Sequence, residues 1–418
     1  MTQAAGRRVA VVMGCRTPFC KAGTALADVS AVDLARTAAR DLLARAGIEG
    51  RHVDLVVMGQ VVQSVLAPNL AREVSLLPQL PPEVPAYTVG AACASANQAI
   101  TDAADRIALG HTEVVIAGGA ESLSNIPILH SRRMSDMLVA MSRARSWGER
   151  ARLLAGVRPR DFVPVVPAIA EPSTGLTMGQ SAEKMAKENG IPREAQDAWA
   201  LRSHQLAHAG TADGRLTLEI VPYHLPGGPV STDNGIRPDA SLERMRELRP
   251  VFDRAHGTVT AGNASPLTDG GSAVLLMSEE AARALGYAPL AWLRSHALTA
   301  VDPGAQLLMG PVSAVPRALE RAGLRWSDIG LVEMHEAFSA QVLSNIQAFE
   351  VRHGWTVDRD IINVMGGSIA IGHPFGATGG RLVTTLANEM RRRQVAFGLV
   401  SVCAQGGLGS AIVLENAA

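Results

Sequence analysis

Leu43-Ala44-Arg45-Ala46-Gly47-Ile48 leads through a short connector into Leu55-Val56-Val57-Met58, and the same figure returns without a gap as Leu319-Glu320-Arg321-Ala322-Gly323-Leu324 leading to Leu331-Val332-Glu333-Met334. Each copy reads as the end of a helix stopped by a glycine, followed by a short buried strand. A gapless repeat at this separation marks a chain built from two similar halves. A weaker echo, in the same order, relates Val114-Val115-Ile116-Ala117-Gly118-Gly119 to Leu399-Val400-Ser401-Val402-Cys403, each a strand feeding a glycine-containing turn.

Working outward, Val9 to Met13 reads as a buried strand, and Ser30 with Asp33 as a capping box that opens a helix with Leu34, Ala38 and Leu42 on one face. Strands that alternate with helices of this length predict an α/β fold with crossover units in a largely parallel sheet. Between the halves, from about Ser124 to about Asn263, basic amphipathic helices, Pro-rich connectors and turn clusters such as Pro226-Gly227-Gly228-Pro229 read as a large insertion. Within it the punctuation predicts one helix from Thr177 to Asn189 and another from Pro192 to Ala209, the latter ended by Gly210.

The 418 residues exceed one ordinary domain, and the 47% hydrophobic content with 40 glycines suits two or three small-residue cores. Lys+Arg and Asp+Glu both number 39, so no global field draws the chain to nucleic acid or to an anionic membrane. The first residues are too short an apolar run for a signal peptide, and no stretch reaches membrane-spanning length; the expectation is a cytoplasmic protein. Cys15, Cys20, Cys93 and Cys403 are too sparse for a disulfide framework and lack zinc-ribbon spacing, so each is weighed as a single thiol.

Cys93, in Thr88-Val89-Gly90-Ala91-Ala92-Cys93-Ala94-Ser95-Ala96-Asn97, falls where a strand meets a helix, a place where helix N–H groups would lower a thiol pKa. The competing reading is a small core residue flanked by alanines. Gly366-Gly367-Ser368-Ile369-Ala370-Ile371-Gly372-His373-Pro374-Phe375-Gly376-Ala377-Thr378-Gly379-Gly380-Arg381 holds one imidazole in a loop built for close backbone approach. Cys403 precedes Ala404-Gln405-Gly406-Gly407 at a strand end, and His335-Glu336-Ala337-Phe338 follows the repeated strand at the equivalent end, where α/β sheets place their sites. Ser339 stands where a zincin would need its second histidine, so that metal motif fails. His204 and His208 stand four apart on a helix but have no evident third ligand, and read as a surface pair.

Taken in order, the Cys93 segment, His335-Glu336-Ala337-Phe338, Gly372-His373-Pro374 and Cys403 with its glycines resemble the four signature blocks of the thiolase family. Gly118-Gly119-Ala120-Glu121-Ser122 and Gly257-Thr258-Val259-Thr260-Ala261-Gly262-Asn263-Ala264-Ser265 agree. Within the family, His335 at the head of its block, Ala67-Pro68-Asn69-Leu70 and Ser173-Thr174-Gly175-Leu176 are most similar to the trifunctional-enzyme thiolase subunits of β-oxidation. The resemblance implies a five-layered αβαβα core of two similar halves, 1–123 with 268–288 and 289–418, around an inserted loop domain, 124–267. It also implies a homodimer or homotetramer, and a hydratase–dehydrogenase α subunit as partner.

The implied activity is cleavage of 3-oxoacyl-CoA by coenzyme A to acetyl-CoA and a shortened acyl-CoA. Cys93 is the implied nucleophile, Cys403 the acid and base, and His335 and His373 stand beside them. The backbone N–H groups of Cys93 and Gln405 would form one oxyanion hole; Gln405 replaces the family's usual glycine, which puts the shape of that hole in question. Arg237, Ala261 and Ser265 are the implied CoA contacts, and Thr177 stands where a family histidine contact would be. CoA is a co-substrate, and neither a resident cofactor nor a metal is called for. The basic segment 132–160, with Met134, Met137, Leu138 and Met141 on one helical face, suits either an anionic membrane surface, a partner subunit or packing on its own domain. The same fold leaves open a biosynthetic acetyl-CoA acetyltransferase, a ketoacyl synthase, against which Cys403 argues, and a non-catalytic acyl-CoA-binding subunit.

Overall fold

The computed structural model describes residues 6–163 and 170–417; residues 1–5, on which part of the N-terminal reading rests, lie outside them. Among the described residues ten strands form one mixed sheet, mostly antiparallel rather than the largely parallel one expected, whose two wings correspond to the two halves. In the first wing the strand Leu55–Gly59 pairs in parallel with Ala86–Val89 and Val114–Ser122, and the latter runs antiparallel to Thr268–Ser278. In the second, Leu331–Met334 pairs in parallel with Phe397–Ala404, which runs antiparallel to Leu408–Asn416. The wings meet where Val9–Arg16 pairs with Ala291–Ala300, Ala10 opposite Trp292.

Strand alternation distributes the side chains among layers. Val56, Met58, Ile116 and Leu275 face outward onto the helix Ala31–Ala46, whereas Leu55, Val57, Val115 and Leu276 face inward. The inward faces of both wings close over a middle layer made by the helices Ser95–Ala108 and Thr378–Arg393, which share one core with Val400, Val402 and Ile412 of the second wing. The helices Gly310–Ala322 and Ser339–His353 cover the far side. This is a five-layered αβαβα core of two similar halves, as the resemblance implies.

The duplication is visible in local detail. Gly47 (φ 64°) and Gly323 (φ 71°) end equivalent helices in the left-handed conformation, and each cap N–H returns to carbonyls of the last turn. Ser30 accepts from the Asp33 N–H at 3.1 Å, the predicted cap. One expectation fails: Gly210 lies inside the helix Arg193–Ala212 rather than ending it. A Cβ there would come within 2.4 Å of the Met365 methyl, so the glycine serves close packing instead of termination.

Between Val114–Ser122 and Thr268–Ser278 the chain forms the helices Arg132–Arg143, Trp147–Ala155, Met178–Glu188 and Arg193–Ala212. The first two carry the basic segment. Met134 is buried there, but Leu138, Val139, Trp147 and Leu154 are exposed. Among the described residues no helix is long and apolar enough to cross a membrane.

Candidate active site

Four loops at the strand ends converge on one cavity of about 550 Å³, lined by Cys93, His373, Cys403 and Gln405 among mostly apolar side chains, including Phe252, Leu308 and Phe338. Cys93 follows a sharp turn after Ala86–Val89 in which Ala92 adopts φ 47°, an uncommon conformation for a residue with a side chain. Ser95 locks that turn: its Oγ accepts from the Ala91 N–H at 2.9 Å and donates to the Ala92 carbonyl at 2.7 Å. The sulfur is thereby presented ahead of the helix Ser95–Ala108. Burial pushes the thiol up to about 12, and the backbone N–H groups of Gln405 and Cys93, hydrogen-bonded to it, counter this in part. The expectation of a thiol lowered by the helix end is therefore corrected: apolar surroundings outweigh the amides.

His335 follows Leu331–Met334 and His373 follows the short helix Ser368–Ile371, and the two rings lie 4.0 Å apart. Each Nδ1 is occupied, that of His335 by Ser368 Oγ at 2.9 Å and that of His373 by Thr378 Oγ1 at 2.6 Å. Each Nε2 is buried without a partner. Orphan buried polar atoms of this kind mark a place where a ligand supplies the missing bond. Burial lowers both imidazoles, His373 to about 3 with help from Arg381, and His335 well below its ordinary value with help from His373 and Arg381. Both rings are neutral.

Cys403 stands near the end of Phe397–Ala404; burial and then the neighbouring Cys93 sulfur raise its thiol well above the ordinary range. The following turn takes its positive φ at Gly406 (83°) and Gly407 (73°), whereas Gln405 is not among the residues with positive φ. A glycine is therefore not required at 405, and the Gln405 side chain ties the turn back by donating to the Ala170 carbonyl at 2.8 Å.

The ligand atoms of Cys93, His335 and His373 lie within 4.8 Å of one another, a soft donor set of the kind zinc accepts. Cys15 and Cys20 are both buried elsewhere, in the core beneath the helix Ala31–Ala46.

A second, smaller cavity of about 170 Å³ is lined by Lys21, Arg237, Arg244 and Ala261, and shares Ala264 with the first. Ser265 lines the larger one. A basic opening thus abuts the thiol site at Ala264. His204 is not a surface residue: it is buried under this opening, its Nδ1 accepts from the Arg237 N–H at 3.3 Å, and burial together with Arg237 and Lys21 lowers it to about 4. His208 on the same helix is exposed.

Several side chains were silent in the sequence. Glu336 is fully buried and accepts from Trp199 Nε1 (3.0 Å), Ser203 Oγ (2.8 Å), Asn363 Nδ2 (2.7 Å) and the Ile369 N–H (3.2 Å), so it ties the inserted helices to both histidine-bearing segments. Glu121 accepts from the N–H groups of Val61, Val62 and Gly376, joining two cavity-lining loops. Their place beside signature residues was the only available signal, because burial of a carboxylate is a long-range property.

The family profile described as "Thiolase, N-terminal domain" matches residues 9–280, and that described as "Thiolase, C-terminal domain" matches residues 287–416. Similar curated proteins include a 3-ketoacyl-CoA thiolase of Pectobacterium carotovorum, 48% identical over 98% of this chain and 97% of the relative. Another, from Escherichia coli, is also 48% identical with the same coverage. Among solved structures, human mitochondrial 3-ketoacyl-CoA thiolase in complex with CoA superposes with a TM-score of 0.87 at 34% identity, over 99% of this chain and 98% of that one. The Bacillus anthracis acetyl-CoA acetyltransferase gives 0.85 at 32%, over 99% of each.

Proposed function

This chain belongs to the thiolase family, and from that premise we propose how its own residues perform the reaction. The activity is that of a 3-ketoacyl-CoA thiolase: thiolytic cleavage of a 3-oxoacyl-CoA by CoA in fatty acid β-oxidation, an acetyl-CoA C-acyltransferase reaction. The observation that supports the site assignment is the convergence of two thiols and the partnerless Nε2 of His373 on one apolar cavity, with the partnerless His335 ring 4.0 Å behind His373.

His373 Nε2 takes the Cys93 proton, and the sulfur attacks the 3-oxo carbon. The backbone N–H groups of Cys93 and Gln405 hold the resulting oxyanion. Breaking the C2–C3 bond leaves the shortened acyl group on Cys93 and an acetyl-CoA enolate, whose thioester oxygen lies between the Nε2 atoms of His335 and His373. Cys403 gives its proton to C2, then removes one from the incoming CoA thiol. The CoA sulfur attacks the acyl-cysteine, and Cys93 leaves and recovers its proton from His373. Because burial holds the Cys93 thiol up and the His373 imidazole down, the ion pair is favoured once substrate charge develops beside it.

CoA enters through the basic opening, phosphates toward Arg237 and pantetheine past Ala261 and Ser265, where the shared wall at Ala264 joins the two cavities. The half-domains divide at 1–123 with 268–288 and 289–418, and the loop domain is 124–267. The protein works in the cytoplasm as a homodimer or homotetramer. The exposed apolar and basic residues of 132–160 are the surface for a hydratase–dehydrogenase partner or an anionic membrane.

Incubation with acetyl-CoA followed by peptide mass spectrometry is expected to give an acetyl adduct on Cys93. A Cys403→Ala variant should keep that adduct while thiolysis falls by about 10²–10⁴. Absence of an adduct, or full turnover without Cys403, would overturn the assignment.

A further inference from the structure

We propose that Ser368, held by Arg381, is a positioning residue that fixes the proton of His335 on Nε2 and so makes that ring a permanent oxyanion donor. The inference rests on the assignment of His335 to the enolate oxygen made above. Ser368 is fully buried, and its Oγ has two partners: His335 Nδ1 at 2.9 Å and Arg381 Nη2 at 3.1 Å. A guanidinium only donates, so Arg381 occupies a lone pair of the hydroxyl. Arg381 is itself fully buried and anchored by Glu333 at 2.8 Å, which keeps its fork aimed at Ser368.

The single hydroxyl proton of Ser368 then has one acceptor among these partners, the Nδ1 of His335. The alternative, in which Nδ1–H donates to Ser368, would strand that hydroxyl proton in a fully buried place. A neutral imidazole whose Nδ1 accepts carries its proton on Nε2, and that atom has no protein partner. Burial, His373 and Arg381 all oppose a second proton. His335 thus presents a donor and never a base.

His373 is wired in the opposite sense. The Thr378 hydroxyl donates to the Pro374 carbonyl at 3.0 Å, so its oxygen accepts from His373 Nδ1–H at 2.6 Å. Its Nε2 is left with a lone pair, as a base toward Cys93 requires. Two rings 4.0 Å apart therefore hold opposite tautomers, and the difference is set by what each hydroxyl's other partner is: an arginine that only donates, or a carbonyl that only accepts.

The two half-reactions separate this role from general support of the fold. Enolate formation uses His335, whereas exchange of labelled CoA into acetyl-CoA passes through the backbone donors of Cys93 and Gln405. In Ser368→Ala, thiolysis kcat is expected to fall by about 10–100-fold while the exchange rate stays within about threefold, and Ser368→Thr, which keeps the hydroxyl, should restore thiolysis. In a His335→Asn background, where the amide donor needs no tautomer, adding Ser368→Ala should change thiolysis by less than about twofold. ¹⁵N spectra of histidine-labelled wild-type protein should show His335 protonated at Nε2. Equal losses in both half-reactions, an undiminished effect in the His335→Asn background, or a proton on Nδ1 would each overturn the proposal. Failure of the wild type itself to exchange CoA would instead overturn the thiolase mechanism on which it stands.

Discussion

Glu336→Ala tests the network that holds the site in place. Oε1 accepts from Trp199 and Asn363, and Oε2 from Ser203 and Ile369, so truncation strands four donors. Each stranded buried group costs about 1–3 kcal/mol, giving about 4–12 kcal/mol; the Ser203 hydroxyl can re-aim and water can enter the void, which places the expected loss near the bottom, about 4–6 kcal/mol. With about 2.1 cal/mol/K per residue, 418 residues give about 0.9 kcal/mol/K at the midpoint, so Tm should fall by about 4–7 °C. Glu336→Gln keeps the oxygen facing Trp199 and Asn363 but turns an NH2 toward Ser203 and the Ile369 N–H; the Ser203 hydroxyl re-aims and the Ile369 donor is stranded, for about 1–3 kcal/mol. Paired thermal and urea unfolding of the three proteins measures both values. An alanine variant within about 1 kcal/mol of wild type, or a glutamine variant as unstable as alanine, would refute this accounting.

Burial raises Glu121 to about 7, above the ordinary carboxylate value, against the Val62, Val61 and Gly376 N–H groups that hold it down. A folded pKa above the unfolded one means the native state binds more protons between about 4.5 and 7, so this group lowers stability as pH rises through that window. Glu121→Gln should flatten that decline in urea midpoints measured from pH 5 to 8, and unchanged slopes would count against it. Arg237→Ala should raise KM for CoA by about tenfold with kcat nearly unchanged, since a phosphate contact far from the thiols gives uniform binding; a kcat effect alone would exclude the contact. Chelator treatment should leave thiolysis unchanged while added Zn²⁺ inhibits through Cys93, His335 and His373, and dependence of activity on metal would contradict covalent catalysis by Cys93.

The sequence by itself determined the duplicated architecture. Helix ends at Gly47 and Gly323, alternation in 55–58 and 331–334, and glycine-rich turns after Gly366 and Cys403 are local signals, written within a few residues of where they act. The same locality exposed Cys93, His335, His373 and Cys403, because each sits at a strand end or in a loop of unusual composition. Only the tertiary structure decided their chemical states. The Cys93 thiol is raised because apolar segments far away in sequence pack around it, and no helix motif reveals that. His204 is buried because Arg237 folds over it, and Gln405 is acceptable because positive φ falls one and two residues later. On the proposal above, which nitrogen of each imidazole carries the proton depends on Ser368, Thr378 and the arginine or carbonyl behind them, since a tautomer is set by the full list of hydrogen-bond partners and that list exists only once the chain has closed on itself.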